Sequence, residues 1–450
     1  MLPYKIDDWV EKESRISSIS ELEHPLNCLI INFSDLIIQL CQLRSISEQS
    51  EYIETDILPL FTDEKGFVRE IEHNDSFLDM FYESYGDMGN YFVFNKLILS
   101  IYINNVNLKM NTIMKTRIFE FMFNHLMDCS LEIASITLQI STIASQESLE
   151  SMEYFYCGIP IPTLESLWRK NEEILIDILC FLETLVKSEW NKEICFRIFL
   201  FYIDVMKEVF FDGSEFISCP SEITRTLSGL YYMSTYIENF HNLMIPYYLF
   251  IEKILEKDIS GSYISALLIV YNSIKKLNYR DAIPFDFRVL IPIIQGQKCI
   301  KNDNCVDPVC ISMEILKIVL QKSLKCYIKE RQWVDTIIPS LNNYLIYGSL
   351  SQKYYSISLY KSILLIKSKF VRSSININDI VESILGFLNS NIHAMIIRTL
   401  KFLRNFFDLD DRQFTLAEEQ REELEKTLRA ISDEPSDTIN SLCEIILENL

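Results

Sequence analysis

A chain of 450 residues that is 49% apolar, with 28 Phe and 23 Tyr, has the material for a large buried core, which excludes a wholly disordered protein. Only 10 Gly and 12 Pro occur, too few for the turns of an all-β fold or the close backbone approaches of a phosphate-binding α/β enzyme. The formal net charge of −21 argues against general nucleic-acid binding, although that charge is spread very unevenly.

The chain opens Met1-Leu2-Pro3-Tyr4-Lys5, with neither a basic start nor an apolar stretch, so no targeting peptide is expected. Within residues 1–150 the apolar spacing predicts helices at Phe92 to Asn104 and Ile113 to Met127, without a clear repeat; this region is expected to hold atypical or capping units. From there on, tracts of roughly 12 to 20 residues with apolar positions three and four apart follow one another. The first paired tracts are Ile161 to Trp168 with Asn171 to Lys187, and Phe196 to Phe211 with Glu222 to Phe240. The richest apolar run, near Phe196 to Phe211, is broken by Arg197, Asp204, Lys207 and Glu208, and no transmembrane segment is expected. No tract alternates with a period of two, so no strands are expected.

A period emerges in the second half. Apolar segments opening with a proline recur at Met244-Ile245-Pro246-Tyr247, Leu290-Ile291-Pro292-Ile293 and Ile337-Ile338-Pro339-Ser340, the prolines standing 46 and 47 residues apart. A further 46 residues brings Leu385, in a segment of the same apolar spacing. Each is followed by a longer amphipathic tract: Tyr263 to Leu277, Val309 to Tyr327, Tyr354 to Lys369, and Asn391 to Asp408. A helix pair of this length cannot bury its apolar face alone and does so by stacking on its neighbours.

These segments resemble the armadillo/HEAT superfamily, whose repeats pair a proline-started helix with a longer second one. The resemblance covers roughly Pro160 to Asp408. It implies an all-α fold, a right-handed α-solenoid of armadillo/HEAT-like helical repeats, with residues 1–150 as a helical N-terminal region, 151–408 as the repeats and 409–450 as acidic C-terminal capping helices. Importin-alpha-like members carry a Trp and Asn ladder on their second helices; here Asn272 and Asn405 fit such positions but the Trp partners are absent.

Charge by segment sharpens the picture. Residues 1–150 carry 10 Lys and Arg against 24 Asp and Glu, residues 151–260 carry 9 against 17, and residues 408–450 carry 4 against 13, whereas residues 261–407 reverse the balance with 19 against 9. The cations recur in or just after each second helix: Lys275 and Lys276; Lys322, Lys325 and Lys329; Lys361 and Lys367; Arg398, Lys401 and Arg404. One reading is that they offset helix macrodipoles and solvate the surface. The other is that they line a groove, on the inner face that second helices form in the superfamily, for a protein or peptide partner of acidic or phosphorylated character. The acidic tract Leu416 to Ile431, with Glu418, Glu419, Glu422, Glu423 and Glu425, is either a capping helix or a segment able to close over that groove.

Candidates for chemistry are few. Cys299, Cys305 and Cys310 with Asp303 and Asp307 match neither a paired C-x-x-C site nor a calcium loop, so no metal is expected. His24, His73, His125, His241 and His393 stand apart from one another, and no glycine-rich phosphate loop occurs. The 12 scattered cysteines suit a reducing compartment, cytoplasmic or nuclear. The expectation is therefore a non-enzymatic protein-binding scaffold or adaptor without cofactor or small-molecule substrate. A nuclear-transport adaptor and a regulatory subunit of a larger assembly are the alternatives; nucleic acid is confined to the basic third.

Overall fold

The computed structural model of the chain describes residues 39–40, 42–43, 45–57, 126, 130–147, 155, 161–187, 192–209, 211–212, 215–216, 220–257, 262–277, 285–297, 307–322, 332–365, 377–407, 416–432 and 436–450. The chain divides into two compact units, Met1–Ser151 and Met152–Leu450. In the first, helix α1 (Ile46–Tyr52) runs into a π-helical turn at Ile53–Ile57, and helix α2 spans Leu131–Glu147. Helix α2 buries Ala134, Leu138, Ile140 and Ala144 together with Thr137, Ser141 and Ser145. The hydroxyls of Ser141 and Ser145 donate to carbonyls one turn back, at 2.8 and 2.7 Å, which lets polar residues sit in an apolar face. The helix expected at Phe92 to Asn104 lies outside the described residues, and of Ile113 to Met127 only Leu126 is described, in a turn.

The second unit is a succession of helices. It begins with α3 (Ile161–Lys170), α4 (Leu175–Leu185), α5 (Lys192–Val209) and α6 (Pro220–Tyr236). There follow α7 (Phe240–Met244), α8 (Tyr248–Lys257), α9 (Tyr263–Lys276), the single turn α10 (Ile291–Ile294) and α11 (Pro308–Lys322). The last are α12 (Gln332–Tyr347), α13 (Leu350–Leu364), α14 (Ile377–Leu388), α15 (His393–Phe407), α16 (Glu418–Ile431) and α17 (Asp437–Asn449). Helices α4, α6, α9, α11, α13, α15 and α17 form one row, each packed on the one before it. On a second row α3 meets α5, α10 meets α12, α12 meets α14 and α14 meets α16, while α7 and α8 pack on α9. Partners in sequence also pack, as α12 does on α13, α14 on α15 and α16 on α17. Among the described residues the second unit is thus all-helical with sequential packing, apart from one short pairing.

That pairing corrects the expectation of no strands: Phe211–Asp212 and Glu215–Phe216 form an antiparallel ladder after α5, labelled β1 and β2. Two residues per strand are too few to show an alternation in the sequence.

The apolar spacing of these helices is satisfied by burial. Ile337 and Leu341 of α12, Ile357 and Ile363 of α13, Ile380 and Ile384 of α14 and Leu400 and Leu403 of α15 are all buried. Each such side chain contributes about 1.5–3 kcal/mol by leaving water, so packing between neighbours holds the array together. Two of the three periodic prolines sit where a missing N–H costs nothing, Pro246 in the 3-10 turn Ile245–Tyr247 and Pro292 at the start of α10. Pro339 does not open its helix. It lies inside α12, because Val334, Ile337 and Ile338 extend the apolar face upstream, and Gln295 Nε2 donates to the Thr336 carbonyl at 3.1 Å in the turn that the proline loosens. Helix α13 starts four residues before the expected Tyr354. A capping box at Ser349 and Gln352 fixes that start.

Candidate functional site

The row α4 to α17 is stitched at both helix ends by side chains reaching from one helix to its neighbour. At the N-terminal ends, Asp307 accepts from the Val309 backbone at 2.9 Å and so caps α11, with Pro308 in the first turn. The same carboxylate accepts from Gln352 Nε2 at 2.8 Å, tying the cap of α11 to the capping box of α13. At the C-terminal ends, Lys276 of α9 donates to the carbonyls of Ser234, Thr235 and Ile237 at 2.8, 2.9 and 3.2 Å. Lys322 of α11 donates to those of Ile274, Lys275 and Leu277 at 2.7, 2.9 and 2.7 Å. Each ammonium therefore satisfies the orphan carbonyls at the end of the preceding second helix, where the macrodipole also favours a cation. Burial at that position holds the Lys322 ammonium below its ordinary value.

These two lysines are among the expected groove-lining cations, and the structure shows both donating to carbonyls of a neighbouring helix. Each ammonium lies at the C-terminal end of the neighbouring helix and not of its own. Lys275 is exposed, its ammonium 5.6 Å from the centroid of the Tyr271 ring. Lys325, Lys329 and Lys367 lie outside the described residues.

The remaining four cations converge. Lys361 of α13 and Arg398, Lys401 and Arg404 of α15 are half-buried on two helices in contact, with Lys317 of α11 beside them. Burial first, then the charges of Lys401, Arg398, Lys317 and Arg404, holds the Lys361 ammonium below its usual value. Arg398 is fixed in place: its Nη1 donates to Ser358 Oγ at 2.5 Å and its guanidinium lies 4.0 Å over the Tyr354 ring. Arg404 Nη2 reaches Asn405 Oδ1 at 3.5 Å. Lys317 is paired with Glu314. No carboxylate pairs with the other four among the described residues.

At the opposite end of the row, charge is compensated. Glu183 of α4 is buried, and accepts from Arg225 Nη1 and Ser228 Oγ of α6, each at 2.8 Å. Tyr202 of α5 packs beside this group, and burial followed by the Glu183 charge raises its phenol well above the ordinary value. A side chain at Gly229 would meet the Tyr202 ring at 2.4 Å, so glycine is what allows the tyrosine in. No motif in the sequence marks this triad, since its members are scattered over 46 residues.

His241 is buried with Nδ1 2.8 Å from the Tyr248 hydroxyl, and His393 is exposed at the start of α15. His24, His73 and His125 are outside the described residues, as are Cys299, Asp303 and Cys305. Cys310 lies 3.5 Å from Asp307, the α11 cap, and burial pushes its thiol up, away from reactive thiolate character. Asn272 donates to Ser234 Oγ at 2.8 Å and Asn405 is buried, so neither of these two possible members of an asparagine ladder is presented freely. Helix α16 packs on α14 and α17, and Gln420 Nε2 donates to the Asn378 carbonyl at 3.3 Å. A cavity of about 300 Å³ between the start of α5 and the end of α6 is lined by Cys195, Phe196, Tyr236 and Leu243, with a Lys192–Glu238 ion pair at 3.9 Å among its walls. Among the described residues no helix is long and apolar enough to cross a membrane.

No protein-family model matches this sequence, and no curated protein does. Among solved structures, the crystal structure of an engineered protein is similar, with a TM-score of 0.63 over 92% of this chain and 98% of that one. At 10% identity the likeness speaks for the helical fold alone.

Proposed function

We propose that this protein is an armadillo/HEAT-like, right-handed α-solenoid acting as a non-enzymatic scaffold, with a protein or peptide partner held along the α4–α17 row. The observation that carries this reading is the α13–α15 patch. Four half-buried cations gather here with no carboxylate paired to them among the described residues, and Lys361 bears the desolvation and the repulsion of its neighbours, a cost that a ligand supplying negative charge offsets. The row offers a continuous backing of packed second helices, which suits an extended partner better than a small molecule. Both cytoplasm and nucleus are compatible with such a role.

The test is capture from native lysate by the full chain and by a Lys361→Glu, Lys401→Glu, Arg404→Glu variant, at two salt concentrations. The expected outcome is a defined set of partners that the variant loses and that higher salt weakens. Identical partner sets for both chains would remove the patch from the binding surface and sink this reading.

A further inference from the structure

The cations of the row differ in what they have left to offer. Lys276 and Lys322 are committed to carbonyls at the ends of α6 and α9, and Lys317 to Glu314. A polyanion such as a nucleic-acid backbone needs a continuous track of available cations, and these commitments leave none along the described row. What remains is a compact group around Lys361, two helices wide. Concentrated positive charge of this kind matches one compact, multiply charged anion.

The donors are of the right type. Arg398 is held by Ser358 and Tyr354, so its guanidinium fork is oriented before any ligand arrives. Asn405, only 7% exposed and in contact with the Arg404 guanidinium through Oδ1, carries a buried amide nitrogen with no hydrogen-bond partner. A buried donor without an acceptor, next to cations that no carboxylate among the described residues neutralises, is a group that an incoming anion can satisfy. A carboxylate offers two oxygens and one charge, whereas a phosphate monoester offers three oxygens and nearly two charges.

We infer that the α13–α15 patch recognises a phosphorylated side chain on a partner peptide, the phosphate seated among Lys361, Arg398, Lys401 and Arg404. This rests on the scaffold reading and narrows it to a phosphorylation-dependent one. Binding of the anion relieves the repulsion around Lys361, so the ligand stabilises the chain as well as engaging it.

The experiment uses the full chain and a fluorescein-labelled peptide carrying one phosphoserine flanked by glycine and serine, beside the same peptide unphosphorylated and one with aspartate in place of phosphoserine. The phosphopeptide is expected to bind at least tenfold more tightly than either, and the Arg398→Gln, Lys401→Gln variant to lose at least tenfold of that affinity. Lys426→Gln, a cation on α16 away from the patch, is expected to bind as the wild type does. Thermal melts of both variants establish that each is folded, and Lys361→Gln, expected to melt no lower than the wild type, is a second way to remove binding without unfolding. Equal binding of the three peptides, or affinity untouched by the patch substitutions, overturns the inference. So does a single-stranded oligonucleotide of matched charge that displaces the phosphopeptide. If lysate partners are captured through the patch but phosphatase treatment of the lysate leaves their capture unchanged, the scaffold reading stands and this inference falls.

Discussion

At the α4–α6 interface a buried carboxylate is met by a guanidinium and a hydroxyl from the adjoining helix, while at α13–α15 four cations gather with no carboxylate paired to them among the described residues. Both are contacts between successive helices of one row, built from the same amphipathic pattern. The difference teaches what charge is for in each place. Glu183 is satisfied inside the protein, so losing a partner there costs stability; the α13–α15 cations are not, so neutralising one relieves the fold.

The contrast is broken most severely at its compensated end. Gly229→Ala places a methyl group where the Tyr202 ring lies, and is expected to destabilise the chain by about 3 kcal/mol, read from denaturant unfolding. The same substitution in a Tyr202→Leu background is expected to cost much less. Next comes Arg225→Ala, which strands the Glu183 carboxylate; because Arg225 is itself half-exposed, the expected loss is about 2 kcal/mol, less than for a fully buried pair. Adding Glu183→Gln to that variant is expected to recover part of it, since the buried charge then disappears.

The stitching lysines come third. Lys322→Met removes donors to three carbonyls and is expected to cost about 1 kcal/mol, with Lys276→Met similar and Lys275→Met within measurement error. Equal effects at Lys275 and Lys322 would show that the carbonyl contacts carry no weight.

The smallest effect has the opposite sign. Lys361→Gln is expected to stabilise by about 0.5 kcal/mol, the solvent exposure of the patch screening much of the repulsion. Its pH dependence follows from the lowered Lys361 value. Between that value and the ordinary lysine value the unfolded chain binds the proton more firmly, so stability due to this group rises with pH there. The advantage of the glutamine variant is therefore greatest near neutrality and shrinks as pH climbs toward the ordinary lysine value of about 10.4. An advantage that does not change with pH would locate the effect in packing and not in charge.

Much of the helix order was legible because apolar spacing of three and four residues is imposed by the turn of the helix itself. Tyr263 to Leu277 was expected and α9 occupies Tyr263–Lys276; Asn391 to Asp408 was expected and α15 occupies His393–Phe407. Pro339 misled because a proline is equally compatible with a helix start and with a loosened turn, and only the burial of Val334 and Ile337 in front of it decides. The cations were legible as a set and illegible as individuals. Lys276 and Arg398 fall on comparable helices, yet one reaches back to carbonyls at the end of its neighbour and the other lies across a tyrosine beside three like charges.

By itself the sequence determined the helical class, the succession of amphipathic helices and the concentration of positive charge in residues 261–407, since periodicity and composition are properties of the chain. Only tertiary structure decided which charges are spent. Whether a lysine meets the carbonyls of a neighbouring helix or other lysines depends on residues about 40 positions away, brought alongside by the stacking of one helix on the next.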